Sequence, residues 1–188
     1  ASKDKNIVLL EADLAKSSGT LSFKKQFPDR FFDVGVAEAN MVGISAGLSV
    51  TGKIPIASTF ACFASRRAYD QFFISCNYAK LNVKLVGSDP GVTAAFNGGT
   101  HMPFEDIALM RVIPDLIVFE PCDTVSLKKL LLQSINHKGC TYMRLHRKST
   151  PVIYNENQDF ELGKGVVLKE GKDVTIVTCG AICVNEAL

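Results

Sequence analysis

In the stretch 33–50, DVGVAEANMVGISAGLSV, Glu38 is the one carboxylate after Asp33 and is followed by a run of mostly small and apolar residues. Burying a carboxylate among Gly, Ala, Met and Val is costly unless something pairs with it. Its neighbours Gly35, Val36, Ala37 and Ala39 offer no charge partner. Two readings stay open on the residues alone. Glu38 is either a partly solvated acid in the first turn of a helix, favoured by the macrodipole, or a buried carboxyl of raised pKa. The second form could share a proton with a ligand nitrogen.

Three further stretches carry residues that could do chemistry. In STFACFASRRAYDQ, Phe60 and Phe63 lie three residues apart and can share one face near a helix start. They read either as core or as a wall for a flat heteroaromatic ring, while Arg66, Arg67, Tyr69 and Asp70 read as salt-bridge and interface material. GSDPGVTAAFNGGTHMPFED is a long Gly-, Asn- and Thr-rich loop carrying His101, a bystander or, beside a cleft, an acid, base or oxyanion donor. It is neither a dinucleotide fingerprint nor a phosphate-binding P-loop. YMRLHRKSTP ends a strand with Arg144, His146, Arg147 and Lys148, which make either a solvated basic strand end or an anion pocket with Arg147 as a bidentate clamp. No Ser-His-Asp or metal-ligand spacing is present.

The elements that must position these residues can be read from hydrophobic runs. NIVLLEAD, RFFDVG, KIPIAST, NVKLVGSD, DLIVFEP, CTYMRLH and DVTIVTCG are apolar almost throughout, as strands covered on both faces are. Between them, AEANMVGISAGLSV reads as a buried helix and SRRAYDQFFISCNYAK as a helix with its charges on one side. DTVSLKKLLLQSINHKG reads as a helix capped by Asp123 and closed by Gly139. This alternation predicts an α/β fold, a mostly parallel sheet sandwiched by helices. Ligands of such sheets bind beyond the carboxyl ends of the strands, so the loops after Asp13, around Glu38 and Phe60, from Ser88 to Glu105 and around Arg147 are the expected site. Residues 1–150 form the expected main domain. Residues 151–172 read as a polar connector with a short β excursion, and 173–188 as the truncated start of a second α/β domain.

Composition narrows the function classes. A formal charge of +2 on 188 residues, with no basic cluster beside an aromatic platform, gives no footing for a nucleic-acid surface. No apolar run approaches the roughly 20 residues of a membrane-spanning helix, and the start ASKDKNIVLL lacks a signal-peptide pattern. Six scattered cysteines without a CxxC pair fit free buried thiols in a reducing, cytoplasmic setting.

Taken in order, EADLAKS, FPDRFFDVGVAEANMVGISAGLS, GKIPIASTFACFASRRAYDQ, HMPFEDIALMRVIPDLIVFEPCD, YMRLHR and GKGVVLKEGKDVTIVTCG resemble the pyrimidine-binding domain of the transketolase family. The nearest likeness is to the C-terminal subunit of split, two-chain transketolases. The resemblance implies the thiamine-diphosphate-binding fold and a thiamine-diphosphate-dependent transfer of a two-carbon ketol unit between sugar phosphates, as in the pentose phosphate reactions. It implies that Glu38 bonds the cofactor's aminopyrimidine ring nitrogen and activates it. Phe60 and Phe63 would pack around the pyrimidine, and Asp13 would lie near the cofactor and subunit contact. His101 would face the sugar substrate and Arg147 its phosphate.

Two positions depart from the family pattern. Asp89 stands where the family has a histidine, and Asn97 where it has an aspartate that reads a substrate hydroxyl. Both lie on the sugar side. No GDG…N motif for magnesium and diphosphate is found, so Mg²⁺ ligands are expected on a cofactor-binding domain in another chain. The chain is then half a site, inactive alone, working as a dimer, a larger homo-oligomer or a heterotetramer. A deoxyxylulose-phosphate-synthase-like enzyme shares RAYDQ and the glutamate but has a histidine near Asn40. The beta subunits of 2-oxo acid dehydrogenases share the fold but fit the loop motifs less well. A non-catalytic partner subunit with a degenerate substrate site is the reading from another class.

Overall fold

Six of the seven apolar runs become strands. A computed structural model describes residues Ala1–Leu188. The strands are β1 (Ile7–Glu11), β2 (Phe31–Asp33), β3 (Ile54–Phe60), β4 (Lys84–Ser88), β5 (Ile117–Phe119) and β6 (Thr141–Leu145). They form one sheet in the order β2-β1-β3-β4-β6-β5, every neighbouring pair parallel. Strands β1 and β4 are buried throughout, while the edge strands β2 and β5 are only partly covered. Register lines up Leu10, Ala57, Leu85, Tyr142 and Val118 in a row across one face.

That row is the floor of the main core. Met41 and Val42 of α2 (Glu38–Val50), Ala64 of α3 (Ala61–Arg66), Phe72, Cys76, Met110 and Ile113 close over it. Each fully buried large aliphatic or aromatic side chain there contributes about 1.5–3 kcal/mol. The other face is covered more thinly, by a cluster of Leu9, Phe31 and Ala15 with Phe23 and Ile56 around it. Phe23 comes from α1 (Leu21–Gln26), and α6 (Thr124–Asn136) packs on the same face through a hydroxyl pair, Ser134 to Thr141 at 2.8 Å. Asp123 caps α6 as expected, accepting from the Ser126 amide at 2.8 Å while the Ser126 hydroxyl reaches back to the Asp123 amide.

Four expectations are corrected. The α2 helix is buried on one side only; Asn40, Gly43, Ile44, Gly47 and Val50 face outward. The run SRRAYDQFFISCNYAK is not one helix. It breaks after α3 into a short α4 (Tyr69–Gln71) and a π-helical stretch, Phe72–Tyr78, that turns Phe72 and Cys76 into the core. The run VTIVTCG is not a strand, and 151–172 holds no β excursion: residues 146–180 carry no helix or strand. Val174, Ile176 and Val177 are exposed, with no neighbouring strand to take their backbone bonds. The chain becomes helical again in α7 (Ala181–Ala187), whose Ala181 and Val184 pack on Cys122. Finally, all six cysteines are free, but Cys179 and Cys183 are exposed rather than buried.

Candidate active site

The residues singled out for chemistry gather at the carboxyl ends of the parallel strands. Glu38 opens α2 just after β2, and Phe60 ends β3 with Phe63 on the first turn of α3. Asp89 directly follows β4, and Arg147 follows β6. His101 comes from the long loop, which contains a 3₁₀ turn over Gly91–Asn97 and leads into α5 (Asp106–Arg111).

Glu38 is only 4% exposed. Its lack of a charge partner is corrected: Arg67 Nη1 donates to Glu38 Oε1 at 2.9 Å, leaving Oε2 without a hydrogen bond. The loop before it is held by Asp33, whose Oδ1 accepts from the amides of Asp13 at 3.0 Å and Gly35 at 3.2 Å. Gly35 has φ +72, the left-handed conformation that glycine adopts without strain, and it lets the chain turn into α2. Asp13 also has positive φ; it is exposed and joins the site only through that shared Asp33 contact.

Beside this carboxylate lies an aromatic group. Phe60 and Phe63 stack with ring centroids 5.9 Å apart, and the His101 ring meets both edge-on, at 6.1 Å and 5.2 Å. The Arg67 guanidinium sits 4.0 Å from the Phe63 centroid, so one cation joins the buried carboxylate to the aromatic pair. His101 is fixed by the Thr100 hydroxyl at 2.9 Å from Nδ1. Its loop is clamped onto α3 because Arg66 bonds both Glu105 and the Thr100 carbonyl.

Across the aromatic group stands a second charge pair. The Asp89 side chain is 1% exposed, and Arg147 Nη1 lies 3.6 Å from its Oδ1, an ion-pair contact too long for a hydrogen bond. Oδ2 accepts from the Ser88 hydroxyl at 3.1 Å, while Oδ1 has no hydrogen-bond partner. Burial pushes the Asp89 carboxyl upward from the ordinary aspartate range, and Arg147 opposes that shift. The Arg147 guanidinium also lies 5.8 Å from the Phe60 centroid. Asn97 is exposed at the end of the 3₁₀ turn and is not brought against these groups.

Sequence reasoning passed over Arg67 as interface material, and it also passed over a buried network behind the site. Arg144 makes a two-pronged bond to Asp106 at 2.8 and 3.2 Å and also pairs with Glu120, while the Tyr142 hydroxyl donates to Asp106 at 2.9 Å. This ties β6 to the start of α5, where the His101 loop ends, and to Glu120 just past β5. Burial and the neighbouring Asp106 carboxylate push the Tyr142 phenol well above its usual range, so it stays a donor. A cavity of 470 Å³ at the β5 edge is lined by Glu120, Arg144 and Cys179 among others, and by none of the candidate residues.

A buried carboxylate with one open oxygen, a stacked aromatic pair and a guanidinium on a neighbouring strand end suit a flat nitrogen heterocycle on one side and an anionic ligand on the other. An all-parallel sheet bearing such groups at its carboxyl edge defines an α/β ligand-binding domain. Residues 1–152 match the family described as "Transketolase, pyrimidine binding domain", and the chain belongs to the transketolase family. It is 52% identical over its full length to the 6-deoxy-6-sulfo-D-fructose transketolase subunit SqwH of Clostridium sp. (strain MSTE9), covering 58% of that protein. It is 44% identical over 95% of its length to a putative transketolase C-terminal section of Methanocaldococcus jannaschii, 57% of which it covers. The chain thus spans little more than half of these relatives. Among solved structures, one described as a split gene transketolase, inactive beta4 tetramer, matches 99% of this chain and 60% of its own at 44% identity and TM-score 0.87. The transketolase of Campylobacter jejuni shares the fold, with TM-score 0.71 at 22% identity over 77% of this chain and 23% of its own. The likeness to split transketolase subunits expected from the sequence is therefore borne out, as is the α/β fold.

Proposed function

We propose that this chain supplies the pyrimidine-side half of a thiamine-diphosphate-dependent transketolase site, moving a two-carbon ketol unit between anionic sugars. The observation that carries the reading is Glu38, a 4%-exposed carboxylate with one oxygen on Arg67 and one open, beside the stacked Phe60 and Phe63. When bound, thiamine diphosphate supplies the carbanion stabilisation that a two-carbon transfer needs and no amino-acid side chain provides. Glu38 is the residue placed to hold a proton shared with a ring nitrogen of that cofactor, and Phe60 and Phe63 are placed to cover a flat ring and keep water away. His101 and Arg147 then face the sugar, Arg147 as the donor to its anionic end. Asp13, through Asp33, holds the Glu38 loop at the edge where a second chain would meet it.

The diphosphate and Mg²⁺ fall to a cofactor-domain chain, and the isolated chain is inactive in this reading. That similar proteins include a transketolase subunit, a C-terminal section and an inactive beta4 tetramer of a split gene transketolase supports it. No helix is long and apolar enough to cross a membrane. The test mixes this chain with a candidate cofactor-domain partner and follows thiamine-diphosphate binding and ketose turnover, in wild type and Glu38→Gln. Turnover only in the mixture, falling at least a hundredfold in Glu38→Gln, is the expected result. Cofactor binding with no sugar turnover, regardless of Glu38, would instead favour the non-catalytic partner.

A further inference from the structure

The Asp89–Arg147 pair has a role that the cofactor chemistry does not use. Asp89 is buried, directly follows β4 and adopts φ +57, a conformation costly for most side chains but tolerated by Asp and Asn. Its amide donates to the Leu145 carbonyl at 3.0 Å, which fixes this turn against the end of β6 and so against Arg147. One carboxylate oxygen is satisfied by Ser88, and the other points at Arg147 without a hydrogen bond. Of the charges nearby, His146 adds a weaker pull than Arg147 in favour of the ionised Asp89 carboxylate. Lys148 sits 4.7 Å over the exposed Phe96 ring, and the His146 ring nitrogen Nδ1 turns back to the Lys148 backbone at 3.1 Å. Arg147 is thus the one guanidinium facing this corner, and a buried carboxylate already opposes its charge.

Arg147 is 39% exposed, and none of its donors makes a hydrogen bond within the chain. Its fork is open to a ligand oxygen, with Asp89 behind it. A terminal group carrying one negative charge meets a guanidinium whose own charge is partly cancelled. A group carrying two charges brings the second against the buried Asp89 carboxylate, which repels it. We propose that Asp89 is a specificity-determining residue: through its pairing with Arg147 it selects ketoses ending in a singly charged sulfonate over those ending in a doubly charged phosphate. This inference rests on the sugar-binding role given above to Arg147. The likeness to a sulfosugar transketolase subunit points the same way.

A sulfonate suits the site because its charge stays at one across physiological pH while its oxygens still engage the guanidinium fork. Like charges a few ångströms apart in a partly buried corner discriminate by roughly ten- to a hundredfold.

The experiment is calorimetric binding of three ketoses that differ only at carbon 6: 6-deoxy-6-sulfo-D-fructose, D-fructose 6-phosphate and D-fructose. Each is titrated into the full chain assembled with its cofactor-domain partner, as wild type, Asp89→Asn and Arg147→Met. Asn tolerates the backbone of this turn and keeps an acceptor for Ser88, so Asp89→Asn isolates the charge; circular dichroism checks its fold. Wild type is expected to bind the sulfonate at least tenfold tighter than the phosphate, with D-fructose weakest. Asp89→Asn is expected to shrink that preference by about tenfold, and Arg147→Met to abolish the advantage of either anion. A sulfonate-to-phosphate ratio unchanged in a folded Asp89→Asn, or D-fructose binding as tightly as the sulfonate in wild type, overturns the inference. Ketol transfer is read separately. Selectivity that moves with Asp89 but no transfer would sink the transfer reading and leave this inference standing, and transfer with an immovable ratio would do the reverse.

Discussion

Arg67 decides how Glu38 can be buried. Its guanidinium is half-exposed, yet it bonds a carboxylate that is almost fully buried and covers the Phe63 ring. Removing the charge while keeping the stem, as in Arg67→Met, leaves Glu38 as a buried, unpaired acid. We expect a loss of about 1–2 kcal/mol, less than for a fully buried pair because water reaches Arg67. Adding Glu38→Gln to Arg67→Met should recover most of that loss, since a neutral amide needs no counter-charge. Urea midpoints for the two single variants and the double variant close the cycle; additive effects would mean the pair holds nothing. The sequence could not show this contact. It spans 29 residues, and none of the residues near Glu38 in the chain from Val34 to Asn40 is a cation. Glu38, Phe60, Phe63, His101 and Arg147 were legible as isolated chemistry, whereas the pairing of Asp89 with Arg147 needed the strand order that brings β4 beside β6.

Among the elements, β4 is the one on which the site depends most closely, because it passes beneath α3 and leads directly into Asp89. Gly87 makes that passage possible: a Cβ there would strike the buried Tyr142 hydroxyl and come within 2.9 Å of the Ala61 Cα. Tyr142 cannot swing aside, since it is fully buried and bonded to Asp106. Gly87→Ala is therefore expected to cost about 3 kcal/mol, as overpacking against backbone does. The contrasting case is Gly47 on the outer side of α2, where an added Cβ meets nothing within 4 Å. Gly47→Ala should stabilise the chain by about 0.5–1 kcal/mol through helix propensity alone. Thermal melts of both variants test whether β4 or α2 is the tightly packed element. Six strands were readable because their apolar runs leave a continuous hydrophobic signature. VTIVTCG carries the same signature without becoming a strand, because an apolar run cannot pair without a sheet neighbour. The break of the helix after Arg66 into π-helical geometry was invisible to periodicity, since Phe72 and Cys76 reach the core only through the altered turn.

At the scale of the whole molecule, buried titratable groups on both sides of the sheet shape how stability responds to pH. Lys84 enters β4 at 2% exposure, and its Nζ donates to the carbonyls of His137 and Gly139, both at 2.7 Å, closing the end of α6. Burial lowers its pKa from the ordinary 10.5 to about 8. Between those values the unfolded chain binds the proton that the folded chain has released, so this group makes stability rise with pH. Below the folded pKa both states are charged and its effect is constant. Cysteines act in the opposite sense. Burial pushes the Cys62 thiol from 9.0 up to about 11 and the Cys76 thiol up to about 12, and it raises Cys122 and Cys140 as well. Above pH 9 the unfolded chain loses thiol protons that the folded chain keeps, and stability falls. The protein should therefore be most stable near pH 8–9 under reducing conditions. The difference between wild type and Lys84→Met cancels Cys62, Cys76 and Cys122 and reports the lysine together with its smaller coupling to Cys140 and His137. That difference should move in favour of wild type by about 3 kcal/mol between pH 7.5 and pH 10.5. Urea unfolding with a reductant present across that range measures it directly. A difference that stays flat would mean that Lys84 keeps its proton in the fold, with the two α6 carbonyls outweighing its burial.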